Sequence, residues 1–393
     1  MIFFAKDMPF IHERLSTDIR AMKTFEELHA SHDWEATKTS IYNKTAADVE
    51  HALATSNASL EDFKALISPA GEAYLEQMAI KSRTITQRRF GKTIQLYIPL
   101  YLSNACANAC AYCGFSHDND IKRITLNKEQ VLQEIAVIKN MGFQHLLLVT
   151  GEHPKACGIA YLKEMVALVK PHFPSVSIEV QPMKQDEYAD LIDMGLHTVY
   201  VYQETYNKAN YNTYHPRGKK SDFSYRLDTP ERLGKAHIHK IGIGCLLGLE
   251  DWRTDSFFTA LHLDYLEKNY WRTKYSISFP RLRPHVGSFE PNVEVNDKQL
   301  AQLIMAYRIF NPDVDLSLST RESKKFRDNM LQLGVTAMSA GSKTEPGGYA
   351  VYNEALEQFS VADDRSPEAM CEMIKKGGYE PLWKDWDDCM SYH

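Results

Sequence analysis

Three cysteines fall within eight residues of this chain, Cys106, Cys110 and Cys113, in the spacing C-x3-C-x2-C. Thiolates are soft ligands that match iron and its bridging sulfides. A cubane cluster has four irons, so three local thiolates leave one iron without a protein ligand and open to a small molecule. A structural zinc site instead wants four closed ligands, usually as two CxxC-like pairs. No second pair is present, and His117 is the residue that would complete such a set. A disulfide framework does not suit a chain of 393 residues with seven cysteines.

The spacing, with the aromatic Tyr112 directly ahead of the third cysteine, resembles the radical-SAM superfamily. The resemblance implies a 4Fe–4S cluster on Cys106, Cys110 and Cys113, with the amine and carboxylate of S-adenosyl-L-methionine (SAM) chelating the open iron. An electron from the cluster then cleaves the sulfonium and releases a 5′-deoxyadenosyl radical. Tyr112 belongs with the expected SAM contacts. So does Thr150-Gly151-Glu152, where the superfamily often has a Gly-Gly-Glu run that receives the methionyl amine. Thr150 replaces the first Gly, but a backbone carbonyl does much of that work. Glu204 offers a carboxylate that can accept from ribose hydroxyls. Arg226 suits a SAM carboxylate or, equally, a surface salt bridge. Gly244 lies in the glycine-rich run 240–248. Glycine in a strand implies close approach by something, here a flat adenine. Farther along, Arg321 with Ser339 and Ser342 suggests a carboxylate pocket, because a guanidinium fork matches a carboxylate two-pronged. A bridge from Arg321 to Glu322 is the competing reading, and Arg281 and Arg283 are the next candidates for the clamp.

These residues need a scaffold that gathers them. From residue 93 a β–α rhythm sets in. Strands are expected at 93–102, 145–150, 176–181, 198–203, 240–247, 275–279, 314–319 and 335–339. Helices are expected between them at 127–141, 158–170, 184–194, 229–239, 255–269, 297–310 and 324–333. Eight strands alternating with helices argue for a parallel (β/α)8 TIM-type barrel, with an incomplete six-unit barrel as the alternative. Barrel chemistry sits on the loops after the strands' C-terminal ends. The cysteine loop follows the first strand, and the other candidates stand at later strand ends. The expected organisation is a helical N-terminal extension over 1–90, with helix starts at Thr45 and Ser59, the barrel over 91–343, and a C-terminal extension over 344–393 with one helix at 366–376.

Composition sets the outer bounds. The chain is 44% hydrophobic and 24% charged with a net charge of −6, which argues against a nucleic-acid partner. No run approaches the ~18 apolar residues of a membrane span, and Met1-Ile2-Phe3-Phe4 is too short for a signal h-region before Asp7. The expectation is a cytoplasmic protein, where clusters are built and thiols stay reduced.

Residues 106–115, Gln203-Glu204-Thr205-Tyr206, Ser319-Thr320-Arg321-Glu322, Pro346-Gly347-Gly348-Tyr349 and Trp383-Lys384-Asp385-Trp386-Asp387 together resemble the 2-iminoacetate synthase family, the radical-SAM tyrosine lyases of bacterial thiazole biosynthesis. The resemblance runs through nearly the whole chain. It implies hydrogen abstraction from the amine of L-tyrosine and Cα–Cβ cleavage to 2-iminoacetate and 4-methylphenol. It also implies a complex with thiazole synthase and a flavodoxin- or ferredoxin-type electron donor. By the same resemblance, Arg321 with Ser339 or Ser342 holds the amino-acid carboxylate. Two relatives compete. Tryptophan lyase is one; the tyrosine lyase of hydrogenase maturation, whose C-terminal extension carries a CxxC and a second cluster, is the other. Here Cys371 and Cys389 are separated by seventeen residues and no CxxC occurs; Cys157 and Cys245 have no assigned role. Iron bound after anaerobic reconstitution should therefore be the same in a Cys371→Ala, Cys389→Ala double variant as in the parent; loss of roughly half would indicate a second cluster.

Overall fold

Eight parallel strands close into a barrel in the computed structural model, which describes residues 24–284, 289–352 and 357–384. They are β1 (Thr93–Ser103), β2 (His145–Thr150), β3 (Ser175–Glu179), β4 (Thr198–Tyr200), β5 (Lys240–Ile243), β6 (Lys274–Ser278), β7 (Asp315–Leu318) and β8 (Ala337–Ser339). Each pairs with its successor, and β8 pairs back to β1 through Leu96↔Met338. The period of two along each strand sorts side chains between two environments. On β1, Ile94, Leu96, Ile98 and Leu100 enter the hydrophobic core under the helices, while Tyr97, Pro99 and Tyr101 face the barrel's interior cavity. Val176 and Ile178 of β3 point outward in the same way, leaving Glu179 inward. Barrels of this kind usually fill their interior with Val, Ile and Leu. Here Tyr97, Tyr200, Ser317 and Ser339 take such positions, and the C-terminal end of the barrel is open as a polar cavity.

The expected helices are present with shifts of a residue or two, apart from three that are shortened or extended at one end by about a turn. The helix Thr229–Lys235 stops early because His237 adopts a left-handed φ of 59°. β4 and β5 are shorter than expected. Their ladder continues past Tyr200 and Ile243 only as isolated bridges, Glu204↔Cys245 and Leu247↔Arg281. A ninth strand, β9 (Glu380–Leu382), pairs in parallel with Thr93–Gln95 of β1 and was not expected. Three residues with a proline at the centre carry no readable period.

Among the described residues five α-helices precede the barrel: Phe25–Ala30, Trp34–Tyr42, Ala46–Ala54, Leu60–Ile67 and Leu75–Phe90. Thr45 and Ser59 open two of them with reciprocal capping boxes to Asp48 and Asp62. Phe63 packs on Tyr307 and Phe310 at ring-centroid distances of 4.8 and 5.2 Å. Buried Gln302 donates to the carbonyls of Leu66 and Ser68 at 2.8 and 2.9 Å, satisfying the end of a helix that water does not reach.

The segment after β8 is tied back at two points. The carboxylate of Glu134 accepts from the backbone N–H groups of Tyr349, Ala350 and Val351 at 3.0, 2.6 and 3.0 Å. Tyr349 Oη donates to Pro99 O at 2.7 Å. Farther on, Arg327 pairs with Asp363 and donates to the carbonyl of Ser339, both side chains wholly buried. Asp385, Trp386, Asp387 and Cys389 lie outside the described residues, as does the apolar start of the chain. Removing one partner of a buried ion pair strands the other charge, at about 3–5 kcal/mol. Asp363→Ala should cost that much in urea unfolding; a loss below about 1 kcal/mol would show that this pair does not hold the tail.

Candidate active site

The loop after β1 has little regular structure of its own, so its shape must come from its neighbours. The N–H of Ala107 donates to Glu152 O at 2.9 Å, that of Ala109 to Arg217 O at 3.0 Å, and that of Ala111 to Tyr214 O at 3.0 Å. Arg123 staples the loop's outer turn, donating to the carbonyls of Asn104, Phe115, Ser116 and Asn119 at 2.7–3.0 Å. Gly218 has φ +98°, and a Cβ there would lie 2.2 Å from Asn108 Oδ1. Gly151 abuts the same loop, its would-be Cβ 2.3 Å from Ala105 O. These contacts turn Cys106, Cys110 and Cys113 onto one cavity.

Burial raises all three thiols above their ordinary pKa, so binding as thiolates requires a positive counterpart. Among the described residues no group of three His, Cys, Asp or Glu is placed to hold a single metal ion. The donor set suits an inorganic cluster several atoms wide, each thiol on its own metal atom. His117, the residue that would have closed a zinc set, is exposed and does not line the cavity. The aromatic Tyr112 lines it with its ring and donates from Oη to His215 Nε2 at 2.7 Å. His215 Nδ1 faces Tyr211 O at 2.9 Å, and a carbonyl only accepts, so Nδ1 carries the proton. Burial, then Lys220 and Arg226, push this imidazole down to about 2, and it stays neutral.

Beside the cysteines lies a buried array of alternating charge. Glu152 accepts from Arg226 Nη1 at 2.9 Å and from Asn108 Nδ2 at 2.8 Å. Arg226 also donates Nε to Tyr202 O at 2.8 Å, and its Nη2 stands 4.0 Å from Glu204. Glu204 accepts from Lys220 Nζ at 2.6 Å. Burial alone would raise Glu152, but Arg226 and Lys220 outweigh it and hold the carboxyl low. Burial and Arg226 oppose the Lys220 ammonium, and Glu204 with Cys110 and Glu152 overcome them, so it stays charged. Arg226 is thus neither on the surface nor unpaired: its partner is Glu152. Glu204 holds a left-handed φ of 70°, a strained conformation for a residue with a side chain, at the end of β4. Thr150 lines the cavity at the end of β2.

Across the cavity, Arg321 is arranged differently. Its guanidinium stacks on Phe359, 3.3 Å above the ring centroid, and has no carboxylate partner among the described residues. The competing bridge to Glu322 does not form, because Glu322 pairs with Arg281 and Arg283, which removes both as rival clamps. Ser339 Oγ accepts from Thr320 N at 3.1 Å. Ser342 Oγ is buried without a hydrogen-bond partner, and both serines line the cavity with Arg321.

The cavity lining thus gathers the expected residues with one correction: Gly244 is not among them. What its missing side chain admits is the neighbouring strand and a tyrosine, since a Cβ would lie 2.7 Å from Ser278 O and 3.3 Å from Tyr202 Cδ1. Gly242 makes room for Tyr200 in the same way, at 2.1 Å. Sequence reasoning missed Glu179 at the end of β3, Lys220 in the segment after β4, and Gln358 and Phe359 from the tail. Gln358 accepts from Tyr101 Oη at 2.8 Å and reaches Cys113 Sγ at 3.8 Å. Glu179 carried a readable signal, a lone acid at the end of an apolar strand; Lys220 and Gln358 carried none.

The Radical SAM superfamily profile matches residues 100–260, and the Biotin and Thiamin Synthesis associated domain matches residues 278–380. The chain is 50% identical to the 2-iminoacetate synthase of Escherichia coli (strain K12) over 367 residues, covering 93% of this chain and 97% of that protein. It is 48% identical to the 2-iminoacetate synthase of Salmonella typhimurium over the same shares. Among solved structures it is similar to the FeFe-hydrogenase maturase HydG from Carboxydothermus hydrogenoformans, with TM-score 0.86 and 29% identity over 92% of this chain and 86% of that one.

Because Gly218 clasps the cysteine loop in a conformation that L side chains avoid, Gly218→Ala should lower the iron bound on anaerobic reconstitution while leaving the far-UV dichroism of the barrel unchanged. Full iron content in that variant would mean the clasp does not shape the loop.

Proposed function

The chain belongs to the 2-iminoacetate synthase family, and on that premise we propose that its cavity holds a 4Fe–4S cluster and SAM and cleaves the Cα–Cβ bond of L-tyrosine. The products are 2-iminoacetate and, once a second electron from the reductant and a proton have reduced the 4-hydroxybenzyl fragment, 4-methylphenol, with 5′-deoxyadenosine and methionine. When bound, the cluster supplies the electron that splits SAM, and SAM supplies the 5′-deoxyadenosyl radical that takes a hydrogen atom from the substrate amine. Cys106, Cys110 and Cys113 are the residues to hold the cluster. The half of the cavity beside them is the place for SAM: Thr150, Gly151 and Glu152 for its methionyl end, Glu204 for its ribose, Tyr112 against it. Arg226 and Lys220 keep Glu152 ionised.

One observation carries the substrate half of the reading. Arg321 lines the cavity with an aromatic face beneath it and no ion-pair partner among the described residues. An uncompensated guanidinium in such a place is costly unless a ligand anion meets it. Ser342, with its hydroxyl unpartnered, stands ready to donate to the same anion. An α-carboxylate fits this pair, and fixing it sets where the amine and ring lie. Burial raises Tyr97, Tyr101 and Tyr202 above the usual phenol range, so their hydroxyls stay protonated, with Tyr101 donating to Gln358 and Tyr202 to Ser278.

The identity to the 2-iminoacetate synthases, 50% against 29% for the hydrogenase maturase, favours thiamin thiazole biosynthesis over hydrogenase maturation or tryptophan cleavage. The Biotin and Thiamin Synthesis associated domain agrees with that placement. An imine hydrolyses readily in water, which supports direct transfer to thiazole synthase. A low-potential flavodoxin or ferredoxin is the fitting electron donor. Among the described residues no helix is long and apolar enough to cross a membrane, and a reducing cytoplasm suits the cluster.

Lysine at position 321 keeps the charge but loses the fork. Arg321→Lys should still form 5′-deoxyadenosine while the 4-methylphenol formed per 5′-deoxyadenosine falls about tenfold or more. The wild-type chain should give little 3-methylindole from tryptophan. Unchanged coupling in Arg321→Lys would place the carboxylate elsewhere, and a preference for tryptophan would overturn the substrate.

A further inference from the structure

Glu179 is the acid in the cavity that the preceding account leaves unused. It ends β3, where the register places it beside Val149 and the alternation with Val176 and Ile178 turns it inward. It lines the same cavity as Arg321, and among the described residues its carboxylate meets no hydrogen-bond donor or cation within bonding distance. Every other carboxylate described there is taken: Glu152 by Arg226 and Asn108, Glu204 by Lys220.

Of the charged groups that act on Glu179, Arg321 after β7 acts most strongly; Glu204 of the β4 end and Lys220 and Arg226 beyond it follow. Tyr97 and Tyr101 on β1, Tyr200 at the end of β4 and Tyr202 just after it line the same space. An unpaired guanidinium and an unpaired carboxylate facing one cavity are the complement of a zwitterion. In an α-amino acid the carboxylate and ammonium share one carbon, so the acid influenced most by Arg321 is placed for the ammonium rather than for the distant phenol.

We infer that Glu179 holds the α-ammonium of the substrate and accepts one proton from it, leaving a neutral amine. The inference rests on the amino-acid reading of the cavity. One N–H bond breaks, its electron pair stays on nitrogen, and the proton passes to a carboxylate oxygen of Glu179; no oxidant or reductant is needed. The proton affinities are well matched. Burial raises Glu179 to about 7, and an α-amino group ordinarily titrates near ~8. A neutral amine is also the form from which a hydrogen atom leaves without making a nitrogen radical next to a full positive charge.

The test is equilibrium dialysis of the anaerobically reconstituted protein with SAM and no reductant, so that binding is read without turnover. The probes are L-tyrosine and 3-(4-hydroxyphenyl)propanoate, which has the ring and carboxylate but no amine. Wild type should bind tyrosine about tenfold more tightly than the analogue, a preference that Glu179→Gln should abolish. Tyrosine affinity of wild type should rise with pH through about 7, as the carboxylate ionises, and that rise should be absent in Glu179→Gln. Retention of both the preference and the pH dependence in Glu179→Gln overturns the inference. Iron content and dichroism report whether the variant folds; if it does not, Glu179→Asp should show a reduced preference, and an unchanged one counts against the inference equally. Arg321→Lys should weaken both probes alike. Failure of wild type to bind either probe, or indifference of both to Arg321→Lys, would instead bring down the amino-acid reading and this inference with it.

Discussion

The site depends on how a segment with almost no regular structure is held still. The cysteine loop satisfies its backbone by borrowing: the N–H groups of Ala107, Ala109 and Ala111 each find a carbonyl on another segment, the end of β2 or the chain after β4. Buried amides without partners would cost about 1–3 kcal/mol each, so these bonds fix the loop's path strongly. Close approach is enforced from the other side by glycines. Gly151 and Gly218 admit the loop's backbone, and Gly114 admits the carbonyl of Gln358. The barrel therefore presents three thiols to one point through contacts made by parts of the chain far apart in sequence.

The charges around that loop follow a division of labour. Near the cysteines, Glu152, Arg226, Glu204 and Lys220 neutralise one another by pairs in a region water does not reach. Such pairing is needed because an unpaired charge there would be expelled or neutralised. Across the cavity Arg321 is left unmatched among the described residues, and Glu179 likewise. Phe359 supports the guanidinium from below, and Glu322 is kept away from it by Arg281 and Arg283. The unpaired groups stand on one side of the cavity and the paired ones beside the cysteines on the other.

Much of this was legible in the sequence because it is local. The strands had a period of two or were apolar runs, the helices had capping residues such as Thr45 and Ser59, and the cysteine spacing is a pattern of eight residues. Arg321's place in the cavity lining was legible because it follows a strand end. A strand glycine announces close approach without saying of what; at Gly244, Tyr202 and the β6 backbone come close. Arg226 was read as exposed or SAM-facing because its pairing with Glu152 joins residues 74 positions apart. Lys220, Gln358 and Phe359 lie in segments with no period, and only the closed barrel brings them to the cavity.

The central claim is that the cavity orients tyrosine so that hydrogen leaves its nitrogen. The most direct measurement is deuterium content of the 5′-deoxyadenosine formed by wild-type protein with SAM, reductant and tyrosine. In D2O, where N–H exchanges, unlabelled tyrosine should place deuterium in the 5′-methyl group; in H2O, tyrosine deuterated at Cα and Cβ should place none. Deuterium arriving from the carbon-labelled substrate in H2O, with none from D2O, would contradict the account.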